Sequence, residues 1–100
     1  MEQEKISVTI KSILDIKPPK DYKVIYLNDD VTTFEFVTDS LIKIFNYDSN
    51  PAESKAKQIN DTGMGIVAVL PFEIAEQKGV EVMVAARVHE YPLEVRLEEN

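Results

Sequence analysis

The densest group of polar side chains in this sequence is Asn28-Asp29-Asp30, followed after Val31 by Thr32 and Thr33. Three chemistries fit it. Asx residues bond local backbone and acids complement a helix N-terminus, so the group can be a strand-to-helix turn. The same oxygens can accept hydrogen bonds from an ammonium, each worth roughly 1.5–3 kcal/mol when shielded from water. A calcium loop is the third possibility, although the spacing lacks the glycine and distal glutamate of an EF-hand. An enzyme using Asp29 and Asp30 as paired carboxylates would need a cleft and a raised pKa, and neighbours at a turn seldom converge on one substrate atom.

Other catalytic sets fail for want of parts. The one histidine is His89, and cysteine is absent. No nucleophile motif accompanies His89, which reads as a helix-end surface residue favoured by the C-terminal dipole. Gly63, Gly65 and Gly79 match neither nucleotide-binding fingerprint, and ligands for zinc are too few. The sequence predicts no catalytic residue, no metal and no cofactor.

The elements that must hold the polar cluster are legible on either side of it. Tyr22 to Leu27 is rich in β-branched and aromatic residues and reads as the first strand. Thr32 and Glu35 have capping-box spacing. The helix they open runs from about Thr33 to Asn46, with Val37, Leu41, Ile44 and Phe45 on one face and Phe34 and Phe36 in its first turns. A second helix starts at Asn50 as cap, with Pro51 at its first position and Glu53 three residues after the cap. Its apolar stripe is only Ala52, Ala56 and Ile59, and Gly63 is its stop.

The run from Gly65 to Leu70 predicts a buried strand. Pro71 opens the longest helix, from about Phe72 to Glu90, with apolar surface from Ile74, Ala75, Val82, Ala85, Ala86 and Val88. Gly79 inside it costs roughly 1 kcal/mol against alanine and marks close packing or a small bend. Tyr91-Pro92 ends that helix. Leu93, Val95 and Leu97 then alternate with Glu94, Arg96 and Glu98 as a half-exposed last strand.

Before all of this, residues 1–20 read as a flexible extension. Ile6, Val8 and Ile10 alternate within it, and Pro18-Pro19 marks its boundary. The predicted fold is α+β, a single small domain over 21–100. Its order is β-α-α-β-α-β, a three-stranded sheet packed against three helices.

Bulk properties agree. The 100 residues are 44% hydrophobic and 29% charged, enough for one ordinary domain. A net charge of −7 repels phosphate backbones and favours cationic partners, including the ammonium that begins a polypeptide. The absence of cysteine suits a reducing compartment. The first residues lack the apolar core of a secretion signal, and the longest apolar run falls far short of the ~20 residues of a membrane helix. These features point to a cytoplasmic protein that binds neither nucleic acid nor membrane.

From Tyr22-Lys23-Val24-Ile25 through Asn28-Asp29-Asp30, Thr32 and Glu35-Phe36-Val37, the chain resembles the ClpS adaptor family. The resemblance continues through Phe45-x-Tyr47, Gly63, Glu73-Ile74-Ala75, Glu76-x-Lys78 and Tyr91-Pro92-Leu93, and so covers residues 22–98. It implies a monomeric, non-enzymatic adaptor that binds the first residue of substrates, usually Leu, Phe, Tyr or Trp. Such an adaptor docks on a ClpA- or ClpC-type AAA+ unfoldase, which feeds the ClpP peptidase.

By this resemblance the α-amine-binding positions are Asn28 and Asp29, with Asn60 where family members usually have histidine. The hydrophobic pocket falls on Asp30, Thr32, Phe34, Val37, Ala56, Ile59 and Leu93, with Phe34 and Ala56 standing where methionines are usual. Glu73 and Lys78 fall on the unfoldase-docking positions. The extension that family members insert into the unfoldase corresponds to residues 1–20. Asparagine can accept from an ammonium through its carbonyl and donate through its amide. The departures leave two expectations: an adaptor that reads N-terminal residues, or a ClpS-like regulator that docks without reading them.

Overall fold

The computed structural model describes residues 20–100, so the expected extension lies, apart from Lys20, outside the described residues. The elements are β1 (Asp21–Leu27), α1 (Phe34–Phe45), α2 (Ser49–Thr62), β2 (Met64–Pro71), α3 (Phe72–Val88) and β3 (Glu94–Glu99). They form one antiparallel sheet in the order β2-β1-β3 with the helices packed against it. The β-α-α-β-α-β order and the α+β class are those read from the sequence.

β1 is the central strand, and its middle residues are buried on both faces. Val24 and Tyr26 reach the core, and Ile25, pointing the other way between Ile66 and Arg96, is also buried. Opposite β1, the register slips by one residue between Val24 and Ile25, leaving Val67 as an extra residue in β2. This bulge turns both Val67 and Ala68 toward the helices.

β2 is therefore not the fully buried strand expected from its composition. Ile66 and Val69 are 45% and 44% exposed, because β2 is an edge strand and the helices cover only its other face. The core gathers Val24, Tyr26, Val37, Leu41, Ala52, Ala56, Ile59, Val67, Ala75, Val82, Ala86 and Leu93. The sparse stripe of α2 is thus sufficient: Ala52, Ala56 and Ile59 are all buried. Inside the core the Tyr26 hydroxyl lies 2.8 Å from Ser40 Oγ, which in turn donates to the Val37 carbonyl. Burial pushes the Tyr26 phenol well above its ordinary pKa.

The helix ends follow capping chemistry, shifted from the sequence reading. Thr33, not Thr32, caps α1, its hydroxyl accepting from the Phe36 N–H at 3.1 Å. Thr32 is drawn away by Asp29. α2 begins one residue before Asn50 with Asp48 as N-cap, so Pro51 sits within its first turn. Gly63 does stop α2, in the left-handed conformation at φ 93°, with its N–H on the Ile59 carbonyl. Asn46 closes α1 at φ 60°, and α3 ends at Val88 with His89 as its C-cap.

Candidate functional site

The polar cluster sits at the end of β1, and Asp29 organises it. Its Oδ1 accepts from the backbone N–H groups of Val31 at 2.8 Å and Thr32 at 2.6 Å. Its Oδ2 accepts from the Thr32 hydroxyl at 2.7 Å. Burial pushes the Asp29 carboxyl upward, but the bonds from Thr32 and Val31 and the nearby Arg87 charge outweigh it and hold the group below the ordinary carboxylate range. That shift suits a carboxylate that stays ionised and accepts hydrogen bonds. The turn reading of the cluster is correct, and the turn keeps a fixed negative charge at its centre.

The Asn28 N–H donates to the Gly63 carbonyl at 2.9 Å, which ties the start of this loop to the end of α2. Asn60 lies in the last turn of α2, three residues before Gly63, and its side chain is exposed. Asn28, Asp29 and Asn60 are therefore carried by two segments that are hydrogen-bonded to each other. That arrangement results from two local events, the Asx turn after β1 and the left-handed glycine after α2.

The apolar positions divide differently. Val37, Ala56, Ile59 and Leu93 belong to one buried cluster, all less than 10% exposed. Phe34, at the first position of α1, is 46% exposed and is the apolar member of the set that water reaches. Asp30 is exposed and Thr32 half-buried beside it. Two surface grooves, of 580 and 510 Å³, lie elsewhere. The first runs across Lys23, Ile25, Lys55, Gln58 and Ile66, the second along Val80, Met83, Val84, Arg87 and Val88. Neither is lined by a residue of the predicted pocket.

The structure adds Arg87, which the sequence reading missed. Its Nη1 donates to the carbonyls of Tyr91 at 2.8 Å and Leu93 at 2.9 Å, holding the segment that buries Leu93. Its charge also acts on Asp29, so one side chain links the polar loop and the segment that carries Leu93. A basic residue in the last turn of a helix is ordinary dipole chemistry, and nothing in its spacing distinguishes this one. The same segment is clamped by rings: Phe36 packs edge-on against Tyr91 and His89, at 5.3 and 5.8 Å between centroids. His89 thus has a packing role at the helix end.

Glu73 and Lys78 lie together on α3, with Glu73 exposed in its first turn. Lys78 is half-buried: its Nζ donates to the Ile44 carbonyl at 2.8 Å and stands 5.8 Å from the Phe45 ring. Its charge therefore complements the C-terminal end of α1. Among the described residues no group of three His, Asp or Glu side chains is placed to hold a metal, and no helix is long and apolar enough to cross a membrane.

Residues 17–96 match the family model described as ATP-dependent Clp protease adaptor protein ClpS. The ATP-dependent Clp protease adapter protein ClpS of Campylobacter jejuni (strain RM1221) is 42% identical over 85 residues, covering 85% of this chain and 88% of that one. Its counterpart in Rhodospirillum centenum is 38% identical over 93 residues, 93% of this chain and 86% of that one. Among solved structures, Agrobacterium tumefaciens ClpS2 bound to L-phenylalaninamide superposes with a TM-score of 0.80 at 32% identity. That match covers 83% of this chain and all of the other.

Proposed function

Because the chain belongs to the ClpS family of Clp protease adaptors, we propose that it grips the first residue of substrate proteins and delivers them to a ClpA- or ClpC-type unfoldase. It works by binding and catalyses no reaction itself. The substrate's α-ammonium is received by Asn28, Asp29 and Asn60, and its side chain, a Leu, Phe, Tyr or Trp, enters between Phe34, Val37, Ala56, Ile59 and Leu93, beside Asp30 and Thr32. Glu73 makes the unfoldase contact together with Lys78. The observation that carries this reading is the Asp29 carboxylate, which accepts three hydrogen bonds in a turn whose first residue, Asn28, is bonded to Gly63 at the end of α2. The phenylalaninamide held by the Agrobacterium relative has the same two recognition elements, a free ammonium and a large apolar side chain.

The affinity this allows is modest. Burying a Leu or Phe side chain contributes roughly 1.5–3 kcal/mol. Two or three charge-assisted bonds raise the gross gain to where micromolar binding survives the cost of association. A specific observation favours a second reading, a regulator that docks on the unfoldase without reading N-termini. The walls Val37, Ala56, Ile59 and Leu93 are all buried, so a large side chain enters only if Phe34 or its neighbours move.

Fluorescence anisotropy with peptides that differ only at residue one separates the two. The starts are Leu, Phe, Tyr, Trp, Met and Arg, each with a free and an acetylated N-terminus. Binding confined to large apolar starts and abolished by acetylation supports recognition of the first residue. Equal, weak binding of every peptide supports the docking-only regulator.

A further inference from the structure

After α3 the chain turns sharply to reach β3. The N–H groups of His89 and Tyr91 return to the Ala86 carbonyl at 3.0 and 2.9 Å, and that of Glu90 to the Arg87 carbonyl at 2.9 Å. Glu90 takes the left-handed conformation at φ 60°. Asn46, the other non-glycine residue at positive φ among those described, is of a type that tolerates it, and glutamate is not. Such a corner persists only where its surroundings hold it. Pro92 follows, with no N–H to offer a backbone partner. The carbonyls on either side of it, those of Tyr91 and Leu93, are held instead by one atom, Arg87 Nη1, at 2.8 and 2.9 Å. Phe36 braces the same corner from α1 through the His89 and Tyr91 rings.

We propose that Arg87 is a positioning residue for first-residue recognition, fixing Leu93 in the cluster it shares with Val37, Ala56 and Ile59 and so setting the shape of the apolar pocket. The inference rests on the reading proposed above, in which the substrate's side chain enters among these residues. Val37 stands on α1, and Ala56 and Ile59 stand on α2, whereas Leu93 stands on a connecting segment. It is therefore the wall most easily displaced once its backbone is released. Arg87 acts from outside: it is exposed and lines the groove along Val80, Met83, Val84 and Val88, which no pocket residue lines. A pocket of fixed shape separates side chains that differ by one methylene by about tenfold or more. A slack wall loses that separation, while the bonds to the ammonium are the same for every first residue. Lysine at position 87 keeps the charge near Asp29 but lacks the planar fork and the reach of the guanidinium.

The full chain tests this by anisotropy with peptides that start with Leu, Phe, Tyr or Trp, and with the acetylated form of each. In Arg87→Lys and Arg87→Gln the spread between the tightest and the weakest start should contract about threefold to tenfold. The preference for a free over an acetylated N-terminus should stay as in the wild type. In both variants the Leu93 methyl signals should shift or broaden in NMR spectra. Val82→Ala removes buried volume from α3 and serves as the stability control: it should change all starts by one common factor. If Arg87→Gln does not fold, Arg87→Lys decides. A common factor for all starts in the Arg87 variants, with the spread kept, makes Arg87 an ordinary stabilising residue and overturns the inference. Unmoved Leu93 signals overturn it as well. A wild-type chain without any first-residue preference overturns this inference together with the reading beneath it, whereas a preference kept intact in both variants overturns this inference alone.

Discussion

A carboxylate offers about four acceptor positions, and Asp29 uses three of them on its own turn, two at Oδ1 and one at Oδ2. One position on Oδ2 is left, and on the proposed reading it receives the substrate's ammonium. Bonds to the ionised form depress the pKa, which fixes the pH behaviour. A depressed carboxylate contributes stability that is fully present above its unfolded value of about 3.9 and is lost as pH falls through its folded value. Peptide binding that needs this charge should therefore hold steady as pH drops to about 4 and fail only below. A carboxyl NMR titration read alongside anisotropy checks the coincidence. Asp29→Asn keeps the size but loses the charge, and should weaken binding of free N-termini roughly tenfold to a hundredfold above about pH 4, a difference that closes as the wild-type carboxylate protonates. An unchanged affinity would mean that the ammonium lies elsewhere.

Two glycines show how an element's packing differs from its propensity. In α3 a Cβ on Gly79 would lie 3.5 Å from Val95 Cγ1, an ordinary contact, so the close packing read from the sequence leaves room for a methyl group. Gly79→Ala should raise the urea midpoint, gaining up to about 1 kcal/mol from helix propensity. In β2 a Cβ on Gly65 would come within 2.6 Å of both Ile59 Cγ1 and Gln58 Oε1. Gly65→Ala should destabilise the fold by about 1–3 kcal/mol, because α2 must shift away from the sheet. Since α2 carries Asn60, Ala56 and Ile59, the same variant should also weaken peptide binding in proportion to that shift. Thermal melts of the pair with opposite signs would support both readings.

Across the whole molecule the net charge of −7 sets a field that every substrate N-terminus meets. At low ionic strength, peptides with Lys or Arg after an identical first residue should associate faster than those with Asp or Glu. The gap should narrow as salt rises toward about 0.5 M, where the screening length is down to about 4 Å. Stopped-flow association rates across a salt series measure this directly. A salt-independent ratio would show that recognition is confined to contacts within the site.

The sequence by itself determined the element order, the turn at Asn28-Asp29-Asp30, the stop at Gly63 and the family. All of these rest on local chemistry: β-branched runs, Asx side chains, a left-handed glycine and a contiguous motif. It misplaced the α1 cap because Thr32 and Thr33 are equally suited to the role, and only the bonds Asp29 makes to Thr32 decide between them. It read β2 as buried because composition does not say whether a strand lies at an edge. Arg87 was invisible, since its partners Tyr91 and Leu93 accept through backbone carbonyls that every residue has. The tertiary structure decided these points because each depends on which distant surfaces meet, and local sequence constrains conformation far more tightly than it constrains contact.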